Sequence, residues 1–371
     1  AEIVDKYGDE RRTEIIPATG DVTDEDLIAR ENVVVTITST GYAKRTKVDS
    51  YKAQKRGGKG VRGAELKQDD IVKNFFVCST HDWILFFTNF GRVYRLKAYE
   101  LPEGGRAARG QHVANLLEFQ PEEKIAQVIQ IQSYEDAPYL VLATQQGRVK
   151  KSRLTDYESA RSAGLIAINL NEGDALIGAQ LVSEGDDILL TSEQGQAIRF
   201  TADDDQLRPM GRATAGVKGM RFRGDDQLLS MSVVHDGEFL LVATSGGYGK
   251  RTAIEEYTPQ GRGGLGVMTF KYTPKRGKLI GAISVDEDDE IFAITSAGGV
   301  IRTEVDQIRP SSRATMGVRL VNLADDVELL AIDRNVEEDG EEDAQAVAKG
   351  EKTVDEVQQE HKAGDASKDE E

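Results

Sequence analysis

The chain has 371 residues, a formal net charge of -17 and a single cysteine, Cys78. The charge is uneven, because residues 335–371 carry 14 acidic and four basic side chains and residues 1–31 carry ten and four. The net charge of residues 32–334 is therefore close to zero. One cysteine excludes a disulfide-stapled scaffold, and the sequence has neither a run of 18 apolar residues nor a secretion leader, so we expect a cytoplasmic protein.

The first 31 residues are interpreted as a linker. Residues 1–16 have helix-compatible spacing, which is interrupted at Pro17 and Gly20 before a short acidic segment over residues 24–28. The sequence begins without methionine and in helix-like residues. We therefore expect it to be a piece of a longer polypeptide, with residues 1–31 joining it to an upstream domain.

A pattern of Thr or Ser, two residues, Gly, three residues, and Arg or Lys follows this linker. It returns six times, at intervals of about fifty residues, and each copy follows a short apolar run such as residues 33–37. Short β-branched and aromatic runs that end in a glycine turn indicate strand, turn and strand. Helical periodicity is scarce over residues 33–333, which disfavours helical repeat arrays. The turn glycines are Gly41, Gly91, Gly147, Gly195, Gly247 and Gly298.

A second glycine follows each turn glycine by about nineteen residues, and in five copies an arginine lies four residues before it. The third copy departs, with Ala160 at that place and Arg161 beside it. This double repeat predicts an all-β, propeller-like ring of six blades with about four strands each, over residues 32–334. The second glycines are Gly60, Gly110, Gly164, Gly216, Gly266 and Gly317.

Basic residues concentrate in the first repeat. Eight lie between Lys44 and Arg62, opposed by Asp49 alone, and the densest run of cations and glycines is residues 54–60. Glycines let backbone N–H groups approach phosphate oxygens, and Lys and Arg neutralise the phosphate charge. The run contains no aromatic side chain for base stacking, so it predicts contacts to a nucleic-acid backbone rather than base reading. A flexible, solvated turn is the alternative interpretation.

Residues 54–60 match at every position the signature box of a known family, the C-terminal domains of DNA gyrase A: glutamine, two bases, two glycines, a base and a glycine. Residues 8–13, 24–28, 51–53, 80–82 and 91–94 also resemble this family, and the resemblance covers essentially residues 1–334. It implies a six-bladed β-pinwheel whose basic perimeter wraps duplex DNA. It also implies that residues 1–31 lead out of the DNA-cleavage core.

The family resemblance implies a function and its partners. A positive DNA wrap would let ATP-driven strand passage introduce negative supercoils, in an assembly of two A and two B subunits. The catalytic tyrosine would lie upstream, so we expect no catalytic residue, metal or cofactor in this chain, with ATP and Mg²⁺ used elsewhere. We expect a monomeric chain on the bacterial nucleoid. A topoisomerase IV domain, which typically lacks an intact box, and a propeller-like protein-interaction scaffold are the alternatives.

Basic side chains of the repeats are the candidate DNA contacts, with Lys55, Arg56 and Lys59 as the anchor. Bracing of a hairpin is the alternative role for the arginines of the later repeats. The predicted DNA-binding residues are Gln54, Lys55, Arg56, Gly57, Gly58, Lys59, Gly60, Lys44, Arg45, Arg62, Arg95, Arg106, Arg109, Arg212, Arg262 and Arg313.

Residues 335–371 are predicted to be a disordered acidic tail, although a short helix near residues 351–361 is compatible with the sequence. Such a tail would compete with phosphates for the ring, so that its deletion tightens DNA binding and flattens the salt dependence. A solubilising appendage is the alternative. The histidines lie far apart, and the acidic runs 203–205 and 286–289 lack the spacing of a calcium loop, so we expect no metal site.

Overall fold

The computed structural model describes residues 24–51, 70–158 and 164–364. The chain divides into two units, residues 1–30 and residues 31–371. The described part of the first unit contains a short 3-10 helix, Asp24–Leu27. The described part of the second contains six small antiparallel sheets, here called blades 1 to 6, which confirms the predicted all-β, six-bladed architecture. No helix of the described residues is long and apolar enough to cross a membrane.

Twenty-three strands build the six blades within the described residues. The strands of the first half are β1 Asn32–Thr38, β2 Tyr42–Lys47, β3 Val72–Ser79, β4 Trp83–Thr88, β5 Arg92–Lys97, β6 Gln111–His112, β7 Ile125–Ile131, β8 Tyr139–Thr144, β9 Arg148–Arg153, β10 Leu165–Ile166 and β11 Leu176–Val182. Those of the second half are β12 Asp187–Ser192, β13 Gln196–Thr201, β14 Val217–Lys218, β15 Leu228–Val234, β16 Phe239–Thr244, β17 Tyr248–Ala253, β18 Val267–Met268, β19 Leu279–Val285, β20 Glu290–Thr295, β21 Val300–Glu304, β22 Val318–Arg319 and β23 Leu329–Arg334.

Neighbouring blades exchange their outermost strands. Blade 1 has the strand order β3-β1-β2-β6, in which β1 and β2 form the hairpin and β6 comes from the chain that follows the hairpin of blade 2. Blades 2 to 5 repeat this arrangement with β10, β14, β18 and β22 as the outer strands. Blade 6 has three strands among the described residues, in the order β21-β20-β23. Each of the first five blades is therefore completed by its successor.

The first glycine of each repeat closes the blade hairpin, as predicted. In blade 1 the N–H of Gly41 donates to the carbonyl of Thr38 at 2.9 Å, and Gly41 has a φ of +87°. This left-handed conformation is strained for any residue that has a Cβ atom. The same turn recurs in the other blades, and the corresponding glycines Gly91, Gly147, Gly195, Gly247 and Gly298 all have positive φ.

The second glycine lies where the outer strand begins against the preceding blade. Gly266 has a φ of +69°, and a Cβ atom there would come within 2.2 Å of the carbonyl oxygen of Ala197 in β13. At Gly216 it would come within 2.4 Å of the carbonyl oxygen of Val149 in β9. The spacing between the two glycines is thus the length of chain from the hairpin turn to the point of strand exchange.

Apolar side chains fill the spaces between successive blades. In β4 the side chains of Ile84 and Phe86 pack towards blade 1, whereas those of Leu85 and Phe87 pack towards blade 3. All four are fully buried. A strand that is covered on both faces needs a continuous apolar run instead of an alternating one, which is the pattern that the sequence shows before each turn glycine.

The C-terminal segment is folded, so the prediction of a disordered tail is wrong for the part that the structure describes. Helix α1 spans Glu337–Lys349 and helix α2 spans Val354–Gly364, while residues 365–371 lie outside the described residues. Gly350, with a φ of +74°, ends α1 as its C-terminal cap.

Four apolar residues explain why this acidic segment folds. In each helix two apolar residues, three positions apart, lie on the same side. They pack on the face of blade 1 that points away from blade 2, where they contact Val34, Phe75 and Val77. The mean composition of the segment, on which the prediction of disorder was based, does not reveal a single apolar stripe of this kind. The helical residues of this stripe are Ala344, Val347, Val354 and Val357.

Candidate nucleic-acid interface

The predicted arginines of the later repeats lie on loops at the perimeter of the ring. The inner strands β7, β11, β15, β19 and β23 contact one another in this order, which leaves the two-residue outer strands at the outside. We call the segments that lead into these outer strands the perimeter loops: residues 102–110, 207–216, 258–266 and 308–317. They carry Arg106, Arg212, Arg262 and Arg313.

The centre of the ring is unsuited to a polyanion. One cavity of about 460 Å³ is lined in part by Asp136 and Asp186, and a second is lined in part by Glu238, Asp286 and Arg334. A cavity of this volume accommodates a small molecule and not a duplex, and most of these charged groups would repel phosphate. A nucleic acid is therefore expected on the outer surface.

The predicted anchor lies outside the described residues. This applies to Gln54, Lys55, Arg56, Gly57, Gly58, Lys59, Gly60 and Arg62. The described chain leaves blade 1 after the 3-10 helix Val48–Tyr51 and returns at Asp70, ahead of β3. The perimeter loops 102–110, 258–266 and 308–317 likewise follow a hairpin and a short 3-10 helix, so this connection occupies the same place in the repeat.

Asp70 fixes the returning end of this connection to the hairpin turn of blade 1. Its carboxylate accepts hydrogen bonds from the Ser39 hydroxyl at 2.8 Å and from the Thr40 N–H at 3.0 Å. Burial of Asp70 disfavours its charged form, but the hydrogen bonds from Thr40 and Ser39 outweigh burial and lower its pKa. The carboxylate thus holds the end of the connection as a charged, hydrogen-bonded group.

Arg106 lies beside the start of the same connection, and Arg109 lies at the hairpin of blade 1. The Arg106 guanidinium is 4.5 Å from the ring centre of Tyr51, and one of its nitrogens lies 2.6 Å from the Glu341 carboxylate of α1. Arg109 stacks on Tyr42 at 3.6 Å. Both arginines are partly exposed. Stacking fixes the plane of each guanidinium and leaves edge N–H groups to meet an anion.

The arginines of the later perimeter loops brace the ring. Arg212 donates to the carbonyl of Ile166 at 2.6 Å, Arg262 to that of Lys218 at 3.0 Å, and Arg313 to that of Met268 at 3.4 Å. In each case the acceptor is the second residue of the outer strand one blade earlier. The bracing role that the sequence left open is therefore present in the structure, and all three side chains remain partly exposed.

The structure corrects the predicted placement of Lys44. Its side chain is 1% exposed, and its ammonium donates to the carbonyls of Gly105 and Arg106, so it has no surface available for a phosphate. Arg45 donates to the Leu101 carbonyl at 2.9 Å and forms an ion pair with Glu103.

Arg95 is also committed to contacts inside the fold. Its guanidinium lies 4.1 Å from the ring centre of Trp83 and donates to the Tyr134 hydroxyl at 3.3 Å. Trp83 and Arg95 lie on the paired strands β4 and β5 of one hairpin. Arg95 therefore stabilises its own blade, and its remaining surface is only partly exposed.

Further exposed cations at the perimeter were not among the predicted DNA-binding residues. Lys218 and Arg319 end the outer strands β14 and β22, and Arg221 and Lys271 follow the outer strands β14 and β18. A signal for the first two was present, because each follows a second glycine and a valine, and Arg62 has the same place after Gly60. In a two-residue strand the side chain after the valine points to the opposite face.

The carboxylates of the acidic runs 203–205 and 286–289 accept hydrogen bonds that stabilise turns. Asp203 accepts the N–H of Gln206 at 2.7 Å, and Asp289 accepts the N–H of Asp286 at 2.8 Å. Asp289 also forms an ion pair with Arg334 at 3.0 Å. Over the residues that the structure describes, no group of three or more His, Cys, Asp or Glu side chains could hold a metal ion.

Known proteins resemble this chain along most of its length. The DNA gyrase A protein of Mycolicibacterium smegmatis is 69% identical over 338 residues, which are 91% of this chain and 40% of that relative. The DNA gyrase A protein of Mycobacterium tuberculosis strain H37Rv is 68% identical over 344 residues, which are 93% of this chain and 41% of the relative. The chain therefore spans about two fifths of the length of these relatives.

Solved structures show the same fold. The C-terminal domain of DNA topoisomerase IV superposes with a TM-score of 0.78 at 28% identity, covering 87% of this chain and 99% of that one. A DNA gyrase A C-terminal domain gives 0.62 at 29% identity, covering 82% and 99%. The family model described as "DNA gyrase C-terminal domain, beta-propeller" matches residues 32–79, 82–132, 138–183, 186–235, 238–286 and 289–335. With one match for each blade, the chain belongs to this family.

Proposed function

We propose that this chain binds duplex DNA along the perimeter loops and bends it around the edge of the ring, as the wrapping domain of a type II topoisomerase. The observation that carries the proposal is the separation of charge within the ring. Exposed cations such as Lys218, Lys271 and Arg319 lie at or beside the outer strands, whereas carboxylates line the central cavities. Membership of the gyrase family supports the same conclusion.

Contacts to the DNA backbone are sufficient for this function. Bending a site of 20–30 bp by 40–90° costs on the order of 1–6 kcal/mol. Neutralising roughly six to ten phosphates releases counterions, and it makes the affinity fall by about 10³ to 10⁵ between 50 and 200 mM salt. Electrostatic binding of this size exceeds the bending cost, so the stiff duplex can follow the ring without base-specific contacts.

The anchor of the proposed path is the box of residues 54–60. It supplies Lys55, Arg56 and Lys59 at the place in blade 1 where the other blades carry perimeter loops. Arg106 beside the start of this connection and Arg109 at the hairpin of blade 1 extend the path. The remaining perimeter arginines hold the ring in shape through their carbonyl contacts and offer the rest of each guanidinium to phosphates.

The catalytic steps of the proposed enzyme belong to other parts of it. We propose that this chain acts with the remainder of a gyrase A protein, which supplies the DNA-cleaving tyrosine, and with gyrase B in an assembly of two A and two B subunits. ATP and Mg²⁺ would be used there. The wrap presents a positive crossover for strand passage, so that ATP hydrolysis introduces negative supercoils into DNA of the bacterial nucleoid in the cytoplasm. The intact box favours gyrase over topoisomerase IV.

A ligation experiment tests the wrapping proposal. A nicked circular plasmid is sealed by ligase in the presence of this chain, deproteinised and resolved by electrophoresis. A duplex that is coiled with one hand around the ring gives topoisomers with a positive shift of the linking number that grows with the protein-to-DNA ratio. The protein-interaction scaffold, which is the alternative function, gives the same topoisomer distribution as ligation without protein, and this result would contradict the proposal.

The ion pair between Arg106 and Glu341 gives the predicted competition by the acidic segment a specific contact. Replacing Glu341 with Gln removes the negative charge 2.6 Å from Arg106 and leaves the apolar contacts of α1 in place. We expect duplex affinity at low salt to rise about two- to fivefold, which is the range of one partly exposed ion pair. Fluorescence anisotropy with a labelled duplex measures this change. Glu342→Gln, at an exposed position of the same helix, is the control, and an equal effect of both variants would contradict competition at Arg106.

A further inference from the structure

Three lysines are buried beneath the perimeter loops, one in every second blade. Lys44, Lys150 and Lys250 occupy the same position, three residues after the turn glycine of blades 1, 3 and 5, and each is at most 1% exposed. Lysine is rarely buried to this extent unless its ammonium group has partners. The proposed function does not use these lysines as surface contacts, so the geometry that they share needs its own explanation.

Each of the three lysines has a partner in the perimeter loop of the next blade. Lys44 donates to the carbonyl of Arg106, Lys150 to that of Arg212, and Lys250 to that of Arg313 at 2.5 Å. Each ammonium thus holds the backbone of one perimeter arginine directly. The additional acceptors are the carbonyls of Gly105, Ala167 and Ser312 and the hydroxyl of Thr315.

The intervening blades fill the same position without an ammonium group. Blade 2 has Tyr94 and blade 4 has Ile198, both fully buried, and blade 6 has the exposed Ile301. The fold therefore accepts an uncharged or apolar side chain at this position. A buried lysine is consequently not required to build a blade. Its recurrence in alternate blades indicates that its role is to hold the perimeter loop.

The electrostatic surroundings of the three lysines favour loss of a proton near neutral pH. Burial, aided by the nearby Arg212 and opposed by Asp156, lowers the pKa of Lys150 to about 7. Burial likewise lowers the pKa of Lys44 and of Lys250 to about 8. Glu337 and Arg106 face Lys44, and Glu256 and Arg313 face Lys250. The neighbouring Tyr51, Tyr157 and Tyr257 have pKa values that burial raises, so they stay neutral in this range.

We propose that Lys44, Lys150 and Lys250 are positioning residues for duplex binding, which hold the perimeter loops of Arg106, Arg212 and Arg313 from beneath and place positive charge behind them. This inference rests on the proposed function of the perimeter. The protonated ammonium makes charge-assisted hydrogen bonds to the loop carbonyls, which are about twice as strong as those of a neutral amine. A phosphate at the loop in turn favours the protonated lysine, so duplex binding takes up protons.

Binding and stability should therefore respond to pH with opposite signs. Duplex affinity falls as the pH rises from 7 to 9, because the free protein loses the ammonium charges that the complex favours. Over the same range the folded chain holds fewer protons on these lysines than the unfolded chain, whose lysines titrate near 10.4. Stability against unfolding therefore rises with pH in this window, so the loss of affinity cannot come from unfolding.

The experiment compares the parent chain with the variant Lys44→Ile, Lys150→Ile and Lys250→Ile, which carries the side chain that blades 4 and 6 have at this position. Anisotropy with a labelled duplex gives the affinity at pH 7, 8 and 9, and thermal unfolding gives the Tm. We expect the variant to bind roughly tenfold more weakly at pH 7, to lose the decrease between pH 7 and 9, and to keep or raise its Tm. Lys124→Ile, at an exposed position outside the perimeter loops, is the single-site control and should leave the pH profile unchanged.

The outcomes separate this inference from the proposed function. If the parent chain fails to bind duplex DNA at any pH, the proposed function itself is wrong. If the parent binds with an affinity that is constant from pH 7 to 9, or if the triple variant keeps the affinity and the pH profile of the parent, the positioning role is wrong and the function stands. A constant parent profile contradicts the positioning role whether or not the triple variant folds.

Discussion

Replacing Lys55, Arg56 and Lys59 together with alanine is expected to abolish the positive shift of the linking number in the ligation experiment. These cations form the proposed anchor where the duplex meets blade 1. Without them the remaining contacts do not offset the energy needed to keep the duplex bent. The logarithmic salt dependence of binding should fall by about 2 to 3, since each phosphate contact contributes about 0.9 to the slope. Plasmid ligation and anisotropy titrations at several salt concentrations measure both effects.

The control for this variant changes the same amount of charge elsewhere. Lys73, Lys124 and Lys349 are exposed and belong to no perimeter loop, and their joint replacement with alanine should leave the linking-number shift in place. A box variant that still coils the plasmid would contradict the anchor. Equal losses in the two variants would show that net charge, and not the position of the cations, determines binding.

Replacing Val357 with Asp is expected to lower the stability of the chain strongly. Val357 is 2% exposed and lies in the apolar stripe between α2 and blade 1. A carboxylate at this position has to be buried without a partner or has to expose the blade face, at a cost of about 3 kcal/mol. The melting temperature should fall by roughly 4 °C for a chain of this size, as measured by calorimetry.

A matched change on the same helix tests whether position or charge is responsible. Gln359 is exposed on α2, and Gln359→Asp adds the same charge without burying it. We expect the melting temperature of this control to stay within about 1 °C of the parent. A disordered segment, as the composition predicts, would tolerate both substitutions, so equal melting temperatures would contradict the docked helices.

The blade architecture was predictable because it repeats. Gly41 and its five counterparts mark hairpin turns with positive φ, and the glycines that include Gly216 and Gly266 mark places where a side chain would collide with the preceding blade. These constraints are local, and because they occur six times the repeat is visible in a single sequence. The order of the strands within a blade is not local, because the outer strand pairs with a hairpin about seventy residues earlier, as Val217 does with Val149.

The sequence was less informative about the charged residues. Lys44 and Lys218 are both basic residues close to a glycine, yet the first is buried under a loop and the second is exposed at the perimeter. The difference depends on which face of a strand each side chain occupies and on what the next blade places above it. The C-terminal helices were missed for a similar reason, since their four apolar residues matter only against the uncovered face of blade 1.

Strand exchange also determines the order in which the ring can be completed during synthesis. The hairpin of blade 1 emerges from the ribosome before β6, which follows the hairpin of blade 2, so each of the first five sheets keeps a bare edge until its successor has been translated. Nascent chains are therefore expected to mature one blade behind the ribosome. A truncation at any blade boundary leaves an unpaired edge strand, which is a template for aggregation, and not a smaller finished ring.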